Sequence, residues 1–86
     1  MYKVSVYKDA AKYYRKMDAK AQGRIDSAVE SMMASPSEGS HIKKLKGRLA
    51  GKYRYDVGGF RIVYSIDEHS KVVYIEAIGP RGDIYK

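Results

Sequence analysis

Apolar and polar positions alternate along KYRYDVGGFRIVY, Lys52 to Tyr64, on both sides of a Gly58-Gly59 pair. A tight primed turn needs positive φ at its centre, which glycine supplies, so the pattern predicts a β-hairpin closed by the two glycines. Counting outward sets Val57 against Phe60, Asp56 against Arg61, Tyr55 against Ile62, Arg54 against Val63, Tyr53 against Tyr64 and Lys52 against Ser65. Side chains alternate across a strand, which sorts these pairs onto two faces. Val57, Phe60, Tyr55, Ile62, Tyr53 and Tyr64 form one face, which reads as core. Lys52, Arg54, Asp56 and Arg61 share the other, where Val63 is the apolar member.

The same reading extends along the chain. Tyr2 to Tyr7 alternates and predicts a first strand. Asp9 is placed to cap a short helix to about Met17, with Ala10, Tyr13, Tyr14 and Met17 at i, i+3, i+4 and i+7. Asp18 is a second cap candidate, ahead of a stripe of Ala21, Ile25, Ala28, Val29 and Met32. Ser35-Pro36 ends that helix, because a residue before proline is biased away from helical backbone. Residues 37–40 read as a loop, 41–51 as the approach to the hairpin, and 67–71 as a polar turn. Val72 to Gly79, VVYIEAIG, is a strand rich in β-branched residues. The predicted order is β-α-α-β-β-β: one α+β domain over residues 1–86, a helical hairpin packed on an antiparallel sheet.

Charge changes the picture. Seventeen Lys and Arg against ten Asp and Glu give +7 on 86 residues, a balance that favours a polyanionic partner such as nucleic acid or an acidic protein. A chain this short buries only about 60–65% of its unfolded surface, so a partner matters to it. No segment reaches membrane-spanning length and the N-terminus lacks a signal-like apolar run, so a cytoplasmic protein without membrane contact is expected. There are no cysteines, and the two histidines, His41 and His69, are too few for a His-rich metal site. No cofactor is expected. Most of the nine tyrosines are expected to serve amphipathic packing.

Three segments carry a resemblance. IKKLKG (Ile42 to Gly47), YRYDVGGFRIVY (Tyr53 to Tyr64) and the closing GPRGDIY together resemble the RelE/ParE superfamily of bacterial and archaeal toxins, nearly end to end. The resemblance implies the toxin of a type II toxin–antitoxin system with a RelE-like fold. RelE-type members are ribosome-dependent, metal-independent endoribonucleases that cut mRNA; ParE-type members poison DNA gyrase. The positions that RelE-like enzymes use fall on Lys52, Arg54, Arg61, Arg81 and Tyr85, each holding a residue of the required type. That set implies the mRNA interferase branch. A ParE-like gyrase inhibitor and a degenerate member that only binds its antitoxin are the alternatives.

Cleaving RNA with its own 2′-OH requires a proton removed from that hydroxyl, charge stabilised on phosphorus and a proton delivered to the leaving 5′-oxygen. Arg61 and Arg81 offer bidentate donors for phosphate oxygens. Lys52 is the expected proton-transfer group, on the argument that neighbouring cations lower its pKa. Arg54 stabilises charge, since arginine is a poor base. Tyr85 is suited to stacking on a base or orienting the hydroxyl. The division of acid and base roles stays open. Asp56, opposite Arg61, reads as a cross-strand ion pair. Lys43, Lys44, Lys46 and Arg48 form a second basic run, either a ribosomal-RNA contact or a solvated loop. The partners implied by the resemblance are an acidic, partly disordered antitoxin, the ribosome with its mRNA, and operator DNA reached only through the antitoxin.

Overall fold

The first strand, Lys3–Val6 (β1), lies parallel to the last, Val72–Pro80 (β5), with Lys3 opposite Val72 and Val6 opposite Ile75. The computed structural model describes residues 1–80. Between these strands run two helices, Lys8–Arg15 (α1) and Ala19–Ala34 (α2), and three more strands, Ile42–Lys44 (β2), Lys52–Val57 (β3) and Phe60–Asp67 (β4). The sheet order is β1-β5-β4-β3-β2. The α+β layering is as expected, with two departures. The sheet is mixed rather than wholly antiparallel, because no tight turn joins β1 to β5 and so none dictates their direction. It also gains a strand, because Ile42, Lys43 and Lys44 pair with Tyr55, Arg54 and Tyr53 instead of remaining a connection.

Local sequence explains the helices. The Asp18 carboxylate accepts the Ala21 N–H at 2.8 Å and starts α2. Ser35, ahead of Pro36, leaves the helical region and stops it. α1 begins at Tyr7 with no side-chain cap, so Asp9 contributes from within the first turn, where a carboxylate meets the positive helix end. It closes at Arg15, two residues before Met17. Ala10 of α1 and Ile25, Ala28 and Met32 of α2 pack on Tyr55, Ile62, Tyr64, Val73, Ile75 and Ile78.

The hairpin pairs as counted, from Val57 opposite Phe60 to Lys52 opposite Ser65. Only the first glycine of the turn takes positive φ, Gly58 at 56°. An added Cβ there would stand 3.0 Å from Arg24 Nη1, whereas one at Gly59 would meet nothing within 4 Å. Gly58→Ala is therefore expected to cost about 1–2 kcal/mol, the left-handed penalty of an L-residue, while Gly59→Ala costs less. Urea midpoints of the two variants check this, and equal losses would refute it.

One irregularity shapes the far side of the sheet. Val63 pairs with Ala77 and Tyr64 with Ile75, which leaves Glu76 as an extra residue in β5. This β-bulge resets the alternation, so Val73 and Ile75 face the core before it and Ile78 after it.

Candidate functional site

The helices cover the Tyr55–Ile62–Tyr64 side of the hairpin. Lys52, Arg54, Asp56 and Arg61 share the other side by their alternation along β3 and β4. Asp56 sits between two arginines. Its Oδ1 accepts from Arg61 Nε at 2.7 Å, and Arg61 is 8% exposed. Its Oδ2 lies 3.6 Å from Arg54 Nε, close enough for attraction and too far for a hydrogen bond. Arg54 Nε is buried and, among the described residues, has no hydrogen-bond acceptor. A buried donor left unmade is costly, about 1–3 kcal/mol.

Lys52 is placed differently from the expectation. Its Nζ contacts Glu76 Oε1 at 2.5 Å, and Ser65 Oγ donates to Glu76 Oε2 at 2.7 Å. The bulge turns Glu76 out of the regular ladder. The hydrogen bond and charge of Glu76 raise the Lys52 pKa above its usual value, with burial opposing weakly. The expectation of a lowered pKa is therefore overturned: it counted the neighbouring cations on the hairpin and missed a carboxylate on another strand. Glu76→Gln is expected to move the Lys52 titration toward lower pH, since the ammonium loses its counter-charge and keeps Arg54 as a strand neighbour. NMR titration of the Lys52 Cε resonance checks it, and an unmoved midpoint would show that Glu76 does not control this proton.

The second basic run divides. Lys43 lies opposite Arg54 and joins the cationic face, whereas Lys44 lies opposite Tyr53 and alternates to the helix side. Lys46 and Arg48 sit at an exposed 3₁₀ turn, Gly47–Leu49. Arg81 and Tyr85 lie outside the described residues. His41 is exposed and stacks on Tyr55 at 5.7 Å between centroids, and His69 is exposed in the β4–β5 turn. Neither belongs to the cationic face. Among the described residues no group of three or more His, Cys, Asp or Glu could hold a metal ion. A groove of about 680 Å³ runs between α2 and the hairpin, lined by Lys20, Arg24, Ser27 and His41 among others. It opens mainly on the helix side, away from Lys52, Arg54 and Arg61, and Asp56 is the member of the cationic face that also lines it.

Glu76 and Ser65 are the neighbours of Lys52 on this face that sequence reasoning missed. A signal existed in Glu76, the one charge inside VVYIEAIG.

The sequence matches the family model described as ParE toxin of type II toxin-antitoxin system, parDE, over residues 4–85. The chain belongs to the ParE toxin family. Solved structures agree on the fold. RelE in the archaeal RelE–RelB complex of Pyrococcus horikoshii superposes with a TM-score of 0.82 at 25% identity, over 95% of this chain and 97% of that one. The isolated E. coli RelE toxin gives 0.81 at 22% identity, over 99% and 92%. A YoeB/ParE toxin from Agrobacterium tumefaciens gives 0.81 at 18%, over 92% and 98%. No curated protein matches the sequence. The chain is thus a toxin of a type II toxin–antitoxin system within the RelE/ParE superfamily, and its cationic sheet face is the candidate site of that activity.

Proposed function

We propose that this toxin is an endoribonuclease that cuts mRNA on the ribosome, in the cytoplasm, without a metal. In the reaction the 2′-OH gives its proton to water, its oxygen bonds to phosphorus, the bond to the 5′-oxygen breaks and that oxygen takes a proton from water, leaving a 2′,3′-cyclic phosphate and a 5′-hydroxyl. The observation that carries the reading is the cluster on one sheet face, with Arg54 and Arg61 on either side of Asp56 and Lys52 beside them on β3. Paired guanidinium groups are the donors that phosphate oxygens fit. Arg54 and Arg61 stabilise the charge that develops on phosphorus. Lys52, kept protonated by Glu76, supplies positive charge rather than taking the 2′-OH proton. Arg81 and Tyr85 complete the set by resemblance. Lys43, Lys44, Lys46 and Arg48 contribute salt-sensitive contacts to ribosomal RNA.

The relatives include a RelE–RelB complex from Pyrococcus horikoshii and a YoeB–YefM complex from Staphylococcus aureus. By that likeness this toxin has a cognate antitoxin, whose acidic segment suits the +7 chain and which carries any operator binding. A second reading is favoured by the family model itself, which is the ParE one: a gyrase inhibitor acting by protein binding alone. Two carboxylates among the cations, Asp56 and Glu76, also temper the face as a phosphate site.

Incubating the purified toxin with programmed ribosomes in chelator, beside a DNA gyrase supercoiling assay, separates the two. Cut mRNA with cyclic-phosphate ends and unimpaired gyrase are expected. Intact mRNA with blocked supercoiling would overturn the nuclease and establish the inhibitor.

A further inference from the structure

A row of residues crosses four strands on the open face. Lys52 lies opposite Ser65, Ser65 opposite Tyr74, and Tyr74 opposite Ser5. Neighbouring strands are about 4.8 Å apart, which sets the Tyr74 backbone roughly 10 Å from that of Lys52. Tyr7 follows two residues after Ser5 and keeps the line of β1, because its N–H donates to Ile75 O at 2.8 Å. The Tyr7 and Tyr74 rings meet at 6.3 Å between centroids and an angle of 59°. Tyr7 is 47% exposed and Tyr74 half-buried.

A contrast within the molecule sharpens the point. Tyr53 and Tyr64 stack nearly parallel, 5.7 Å apart at 20°, and the helices pack over that side of the sheet. That pair belongs to the core. Tyr7 and Tyr74 sit on the side without helices, tilted so that the rings do not cover each other face to face. Large apolar rings kept in water beside cations are the two ingredients of single-strand RNA recognition: a charged track for phosphate and π-faces for bases.

We propose that Tyr74 and Tyr7 form a nucleobase-stacking site, which takes the base of a nucleotide whose phosphate lies against Lys52 and Arg54. The inference rests on the RNA-cleaving reading and adds a second half to that site. Stacking is tolerant of base identity, since every base has a π-face, so the pair secures the strand without choosing its sequence. Tyrosine suits the task because its ring is rigid and loses little freedom on binding. The tyrosines act on substrate binding; the chemistry stays with the cations.

The test measures binding of a short oligoribonucleotide, made uncleavable by 2′-O-methyl groups, to the free toxin at low salt. A matched oligonucleotide carries abasic sites. Tyr74→Ala is expected to weaken the normal strand about ten- to a hundredfold, leave the abasic strand unchanged, and keep the salt slope. Tyr74→Phe, which retains the ring, is expected to bind as wild type does, and thermal melting confirms that both variants fold. Equal weakening of both strands, or no weakening, overturns the stacking site while wild-type cleavage leaves the nuclease standing. Tyr74→Ala that binds RNA normally but loses a protein partner assigns the rings to protein docking and also overturns it. A wild type that neither binds RNA nor cuts mRNA removes the nuclease reading and this inference with it.

Discussion

Arg61→Ala is expected to slow mRNA cleavage on programmed ribosomes by about 10²–10³-fold, the usual cost of removing one preorganised donor to a developing charge. The effect has two parts. A guanidinium is lost from the phosphate site, and the Asp56 carboxylate that Arg61 held at 2.7 Å is left facing an anionic substrate. Arg61→Ala with Asp56→Asn removes that repulsion and should recover part of the rate, which a double-mutant cycle measures. Asp56→Asn alone should tighten RNA binding, since both Arg54 and Arg61 then lack their carboxylate. Some stability should be lost as well, because Arg61 is buried and an ion pair broken on one side inside the protein costs more than a surface pair. Single-turnover cleavage checks the prediction. A rate within tenfold of wild type would remove Arg61 from the chemistry.

Tyr64→Ala is expected to destabilise the fold by about 3–5 kcal/mol, the range for truncating a large aromatic in a core. For a domain of this size, total stability is about 4–13 kcal/mol, so the variant loses a large share of its folded population. Tyr64 is fully buried, its ring stacks on Tyr53, and its hydroxyl donates to Pro36 O at 2.7 Å. Burial pushes its phenol far above the usual tyrosine range, so it stays a neutral donor throughout the working pH range. Tyr64→Phe keeps the ring, loses that bond and leaves a buried carbonyl unpaired; a cost of about 1–3 kcal/mol follows. Urea unfolding of the pair separates packing from hydrogen bonding. A Tyr64→Ala loss no greater than that of Tyr64→Phe would show that the ring contributes little.

Local codes were readable in the sequence and long-range ones were not. Gly58 fixes the turn, and once the turn is fixed every pair from Val57–Phe60 to Lys52–Ser65 follows by counting. The α2 stripe and the Asp18 cap are local in the same sense. The parallel pairing of β1 with β5 is decided by packing across the whole chain, and no short motif records it. β2 escaped notice because IKK, Ile42–Lys44, is short and mostly charged, and its pairing with β3 supplies what its own propensity lacks. The bulge at Glu76 is hidden because VVYIEAIG reads as an unbroken strand until its partner shows where the extra residue falls. The same gap explains Lys52. Its neighbours on the hairpin were legible, while its counter-ion arrives from a strand whose register was not.

The pairing of β1 with β5 also governs when the toxin exists. Lys3 and Val72 are sheet neighbours with nearly the whole chain between them. A growing chain emerges N-terminus first, so β1 waits without its partner until β5 has been made, and loop closure on that scale comes late in folding. Glu76 arrives in the same late segment, and before it Lys52 has no counter-ion. A half-translated copy thus lacks a finished sheet face, and on the RNA-cleaving reading proposed above the order of synthesis withholds activity until β5 has been made.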